Sequence, residues 1–184
     1  MSKPKPFPVP RPVEGARGAP PLWLPDEPFP PYRFVPGHAP HPFAQEGGYA
    51  YGKRPPNPPP CAADDWRNNH AFLRGVDFFN RGWWWEAHEA WEGYWHAVEG
   101  VDVAQHDLMK GLIQLAASAL NLERDNHSGA QKLLETATQA LARAWDAAGR
   151  ESLCGLDLGN LAIEANDRLT IATGPVRGFY LWPS

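Results

Sequence analysis

Phe79-Asn80-Arg81-Gly82-Trp83-Trp84-Trp85-Glu86-Ala87-His88-Glu89-Ala90-Trp91-Glu92-Gly93-Tyr94-Trp95 holds five of the chain's nine tryptophans, three glutamates and a histidine. Its periodicity decides the fold. At about 100° per residue, Trp84, Ala87, Trp91, Trp95 and Val98 fall on one stripe, which predicts an amphipathic helix from about Trp83 to Glu99. Gly100 suits its C-terminal cap. The expected core stripe is Trp84, Trp91 and Trp95. Trp83 and Trp85 lie off it and are expected to face the proline-rich N-terminal strap or a partner chain.

Outward from this helix the same period recurs. On the N-terminal side Trp66, Asn69, Phe72, Val76 and Phe79 follow helical spacing. Asp64 or Asp65 is the expected cap, and Asn80–Gly82 the break. On the C-terminal side Leu108, Met109, Leu112, Leu115, Ala116, Ala119 and Leu122 give a third helix from about Asp102 to Leu122. Its apolar face is wide enough for two neighbours, and Gly111 permits close approach. Asp125-Asn126-His127-Ser128-Gly129 is a turn, with Asn126 or Ser128 as the next cap. Ala130, Leu133, Leu134, Ala137, Leu141, Ala144 and Trp145 form a fourth helix ending at Ala148-Gly149. Asp157 is expected to cap a short fifth helix through Leu169. The tail from Thr173 to Ser184 carries Val176, Phe179, Tyr180, Leu181 and Trp182, and is expected to pack back on the body. No long run alternates with a strand's period. The expected fold is all-α, a compact antiparallel bundle of about five helices.

Proline marks the other boundary: 19 of the 21 prolines lie in the first 60 residues. Residues 1–21 read as a proline-rich flexible arm. Residues 22–61 are proline-rich too, but Trp23, Phe29, Tyr32, Phe34, Phe43, Tyr49 and Tyr51 make them too aromatic for a free linker. They are expected to lie on the body as an extended strap. Residues 62–184 are the helical domain, of usual single-domain size.

A hydrophobic share of 43% and a net charge of -4 suit a soluble globular protein. No clustered Lys and Arg marks a nucleic-acid or anionic-membrane surface. No stretch approaches the ~20 apolar residues of a membrane span, and the N-terminus has no signal-like apolar run. The two cysteines, Cys61 and Cys154, are too few for a disulfide framework. The expected location is cytoplasmic, with reduced thiols.

The polar edge of the central helix carries the candidate chemistry. His88 lies at the margin of the apolar stripe, Glu92 one turn on along the same flank, and Glu89 within reach. A histidine and a carboxylate at i, i+4 can share a metal, as the two histidines of H-E-x-x-H do. Here position 92 is Glu, so the zincin motif is not met, and further ligands must come from elsewhere. His38 and His41, three apart in the Val35-Pro36-Gly37-His38-Ala39-Pro40-His41-Pro42 turn, are the favoured additions. His70, His106, Asp107 and His127 are others. Without a metal, His88 beside Glu89 or Glu92 is a candidate general acid–base group. Glu86 points to the opposite side of an ideal helix.

Phe79-Asn80-x-Gly82-x-x-x-Glu86-Ala87-His88-Glu89-x-x-Glu92-x-x-Trp95 resembles the signature of the helical family catalogued as domain of unknown function 309. Gly111-Leu112-Ile113-Gln114-Leu115-Ala116 and Asn126-x-x-Gly129-Ala130 with Leu133-Leu134 are similar to that family's second and third motifs. The resemblance covers about residues 66–147. It implies a small all-α fold, assigns no reaction, and singles out Asn80, Glu86, His88, Glu89, Glu92 and Gln114 as the polar motif members. The functional expectation is a polar site at His88, Glu89 and Glu92, closed by His38 or His41. Its chemistry would be hydrolytic or assisted by a divalent metal. The competing expectation is a non-enzymatic module in which these residues are a structural network, and the aromatic helix and strap join a protein partner or a second copy.

Overall fold

The computed structural model describes residues 19–54, 57–149, 152–170, 172, 176 and 178–184. The arm at 1–21 therefore lies outside the described residues except for its last three. A 3-10 helix, Ala63–Asn68, leads into five α-helices: α1 (His70–Phe79), α2 (Trp84–Val98), α3 (Val103–Glu123), α4 (His127–Ala148) and α5 (Leu158–Thr170). The all-α expectation is met. Turns of a few residues join α1 to α2, α2 to α3 and α3 to α4, and each of these helices packs on its successor. One two-residue antiparallel hairpin, β1 (Ser152–Leu153) and β2 (Leu156–Asp157), precedes α5. Cys154 and Gly155 turn it with φ of 50° and 73°. Two positive φ values suit the right-handed twist of a tight hairpin, and the helical and strand periods cannot register an element this short.

The local start signals are mixed. Asp102 accepts from Gln105 N–H at 2.9 Å and Asn126 from Gly129 N–H at 3.1 Å, as N-caps should. Asp157 accepts from Asn160 N–H at 2.9 Å at the start of α5. Asp64 and Asp65 do not cap α1, because they sit inside the 3-10 turn. Asn69 is the cap instead, accepting from Phe72 N–H at 3.0 Å.

The core stripe of α2 is Trp84, Ala87, Trp91, Tyr94 and Val98. Tyr94 is wholly buried, whereas Trp95 is half-buried and stacks on His106 with centroids 4.9 Å apart. The correction has a polar cause. The Tyr94 hydroxyl bonds Gln105 Oε1 at 2.7 Å and Cys61 O at 2.9 Å, so a buried tyrosine keeps its hydrogen bonds. At Gly111 a β-carbon would come within 2.8 Å of Leu141 Cδ2, so the glycine sets how closely α3 and α4 approach.

The strap lies along α1 and α2. Trp23 and Leu24 N–H groups both donate to the buried Asp77 carboxylate, at 2.8 and 2.9 Å. Phe29 meets Phe78 and Trp83 edge-on, with both centroid separations 5.1 Å. Arg33 donates to Gly82 O at 3.0 Å and forms a bidentate pair with Glu123. A forked pair of this kind fixes direction as well as position. Phe34, His41 and Phe43 surround Trp85. Trp83 and Trp85 are thus covered by this chain's own strap.

Candidate functional site

Two features are built on polar side chains of α2, and Glu89 belongs to both. The first is a cluster of His88, Glu89 and Glu92, each half-buried, whose ligating atoms lie within 4.8 Å of one another. One helical turn sets His88 Nε2 3.8 Å from Glu92 Oε1. Burial pushes the His88 imidazole below its ordinary value, and the Glu92 carboxylate opposes this. The neutral ring thereby favoured is the form that ligates a metal or accepts a proton. Burial, followed by the nearby Glu92, pushes the Glu89 carboxyl up to about 7.

His38 and His41 lie outside this cluster. His38 is exposed. His41 packs against Phe34 and Trp85, and its Nδ1 accepts from the N–H groups of Phe43 at 3.3 Å and Ala44 at 3.2 Å. The proline-bounded turn therefore spends one of its imidazoles on its own backbone. His70 pairs with Glu27, and Asp107 with Arg143.

The second feature is a cavity of about 770 Å³ between the strap and α1–α2, bounded by Glu86, Glu89 and Trp85 from α2, and Phe43 and Tyr49 from the strap. Glu86, which an ideal helix turns away from His88, is here the buried anchor of the strap. Its Oε1 accepts from Phe34 N–H at 2.7 Å and from the Tyr49 hydroxyl at 3.3 Å, while its Oε2 is buried without a partner. Burial pushes the Glu86 carboxyl up to about 7, against the lowering effect of Phe34 N–H, its own backbone N–H, Tyr49 and Arg33. Burial likewise raises the Tyr49 phenol, reinforced by Glu86. Glu86 had one legible signal, its place in the motif; nothing local marks Tyr49, whose contact is formed across 37 residues.

The raised Glu86 carboxyl has a signed consequence. Between pH 4.5 and 7 the folded chain holds a proton at Glu86 that the unfolded chain has released, so folding binds protons there. This contribution to stability is present below pH 4.5 and is lost as pH rises through 7. Its full span is about 3 kcal/mol, since each tenfold change in proton affinity is worth ~1.4 kcal/mol. Glu86→Gln is expected to remove it. The check is urea denaturation of the chelated protein at pH 5 and pH 8. A stability difference between wild type and variant that stays constant with pH contradicts it.

Fold and site together define a class: an all-helical domain whose second helix carries a histidine–carboxylate cluster beside a strap-covered cavity. The family model described as Domain of unknown function (DUF309) matches residues 72–133. This is the family whose motifs the sequence resembles. The matched segment takes in most of α1, all of α2 and α3, and the start of α4. It contains Asn80, Glu86, His88, Glu89, Glu92 and Gln114, and excludes the strap. No curated protein and no solved structure matches the chain. Among the described residues, no helix is long and apolar enough to cross a membrane.

Proposed function

We propose that His88, Glu89 and Glu92 form a mononuclear site for a divalent metal, serving metal-assisted hydrolysis. The observation that supports this is the convergence of one imidazole and two carboxylates within 4.8 Å on a single helix. Mixed nitrogen and oxygen donors suit Zn²⁺, Mn²⁺ or Fe²⁺ better than the all-oxygen cages of Ca²⁺. Three protein ligands leave positions open, as in catalytic rather than structural sites. When bound, the metal would polarise a substrate oxygen or lower the pKa of a water. His88 is pre-set as a ligand by its neutrality, and the half-buried position leaves the cluster open to solvent. The competing interaction-module reading has less support, since the strap already covers Trp83 and Trp85.

Calorimetric titration of chelated protein with Zn²⁺ and Mn²⁺ tests this. The expected result is one equivalent bound per chain, with His88→Ala and Glu92→Gln each weakening binding by at least tenfold, or roughly 1.4 kcal/mol. No uptake by the wild type, or equal uptake by His88→Ala, overturns the metal site.

A further inference from the structure

We infer that the cavity between the strap and α1–α2 binds a small amphipathic organic cation, a protonated primary or secondary amine with an apolar body. This goes beyond the metal reading and does not rest on it. Three observations carry it.

The first is size and lining. About 770 Å³ lies within the range of small-molecule sites, roughly 300–1,000 Å³. The walls include four prolines and the rings of Phe43, Tyr49, Phe78 and Trp85. An apolar body would displace water from these walls, and an ammonium group is attracted to indole and phenol faces.

The second is charge. The cavity's cationic residues are already committed. His70 pairs with Glu27. Arg74 donates to Glu27 O at 3.1 Å and Pro28 O at 2.5 Å, and its guanidinium lies 4.3 Å from the Phe78 ring centroid. Arg33, which does not line the cavity, is forked onto Glu123. Glu86 and Glu89 therefore reach the cavity with no ion pair between either of them and a basic side chain lining it. A cationic ligand supplies what the walls lack.

The third is the missing donor. Glu86 is 4% exposed, and its Oε2 has no hydrogen-bond partner. A buried carboxylate oxygen without a donor is costly, and Glu86 is one of the residues that line the cavity. An N–H-bearing head group can complete Glu86, with Glu89 as the second acceptor. A quaternary ammonium has no N–H to give. That separates the proposed ligand class from choline-like cations.

The test is calorimetry on the full chain in excess chelator, with benzylamine, benzyl alcohol and benzyltrimethylammonium as matched probes. Benzylamine is expected to bind at least tenfold more tightly than either of the others. Glu89→Gln, whose side chain makes no hydrogen bond within the described residues, is expected to weaken it by about tenfold. Glu86→Gln should do the same where circular dichroism shows the fold retained. Ala90→Leu narrows the cavity while keeping both carboxyls, and is expected to weaken binding of all three probes. Equal binding of amine and alcohol, no binding of the amine, or an amine affinity unchanged in both Glu89→Gln and Ala90→Leu overturns the inference. Because chelator is present throughout, loss of amine binding and loss of metal binding are read separately.

Discussion

Trp91→Ala is expected to lower the unfolding free energy by about 4–5 kcal/mol, the upper range for deleting a large aromatic from a core. Trp91 is wholly buried at the centre of α2 and packs on Phe79 with centroids 5.8 Å apart. Its Nε1–H donates to Phe72 O at 3.1 Å, so an apolar ring is also the hydrogen-bonded link between α2 and α1. Gly75 makes room for it. A β-carbon there would overlap the pyrrole atoms of the indole, with Cδ1 only 2.5 Å away. Gly75→Ala is therefore expected to cost about 2–3 kcal/mol by overpacking, although alanine is the better helix former by about 1 kcal/mol. The two sites should couple. With Trp91→Phe the smaller ring vacates part of the overlap, so the double variant should be more stable than the sum of the single effects predicts. Urea midpoints at constant m-value measure the wild type and all four variants. Strict additivity, or a Trp91→Ala loss below about 1 kcal/mol, would show that α1 and α2 do not lock through this contact.

The Trp91 stripe is legible because a helix that buries one face must repeat its apolar residues at helical spacing, and Trp84, Ala87, Trp91 and Val98 do. Tyr94 is not, since a wheel weighs it as amphipathic. Its burial depends on Gln105 and Cys61, acceptors from two other segments. The start of α1 escapes the pattern for a related reason. Asp64 and Asp65 are good caps, but Asn69 is one too, and the intervening 3-10 turn decides between them.

The site divides the same way. His88 and Glu92 are neighbours by helical spacing alone, so local sequence places them together. Glu89 joins them by being next in the chain. The partners expected from a distance, His38 and His41, depend on how the strap docks, and no local pattern encodes that. The strap presents the backbone of Phe34 and the phenol of Tyr49 instead, to a glutamate on the opposite side of α2. Long-range pairing of polar side chains with strap backbone is invisible to periodicity, because any extended segment offers the same N–H groups.

Asn80→Ala is expected to destabilise the chain by about 3–4 kcal/mol, far more than an ordinary helix-end substitution. Asn80 Nδ2 donates to Leu181 O at 2.8 Å, and Leu181 N–H donates to Asn80 Oδ1 at 2.7 Å, with both residues buried. Truncation strands a backbone donor and a backbone acceptor where water does not reach, at about 1–3 kcal/mol each. Asn80→Asp keeps the acceptor, loses the donor and buries a charge, so it should be no milder than alanine at neutral pH. The loss should also spread. The tail that Asn80 holds sets Phe179 edge-on against Phe79 and Trp182 5.1 Å from Trp23. Trp23 is in turn tied through its N–H to Asp77, one turn before Asn80 on α1. Two buried polar residues at the end of one helix thus hold the tail and the start of the strap, the second of which goes on to roof the cavity. Cleavage of the chain after Tyr180 or within residues 19–34 by a dilute protease should therefore accelerate together in Asn80→Ala. Acceleration at the tail alone would show that the two segments are held independently. An unchanged urea midpoint would show that the Asn80–Leu181 pair contributes nothing to the fold.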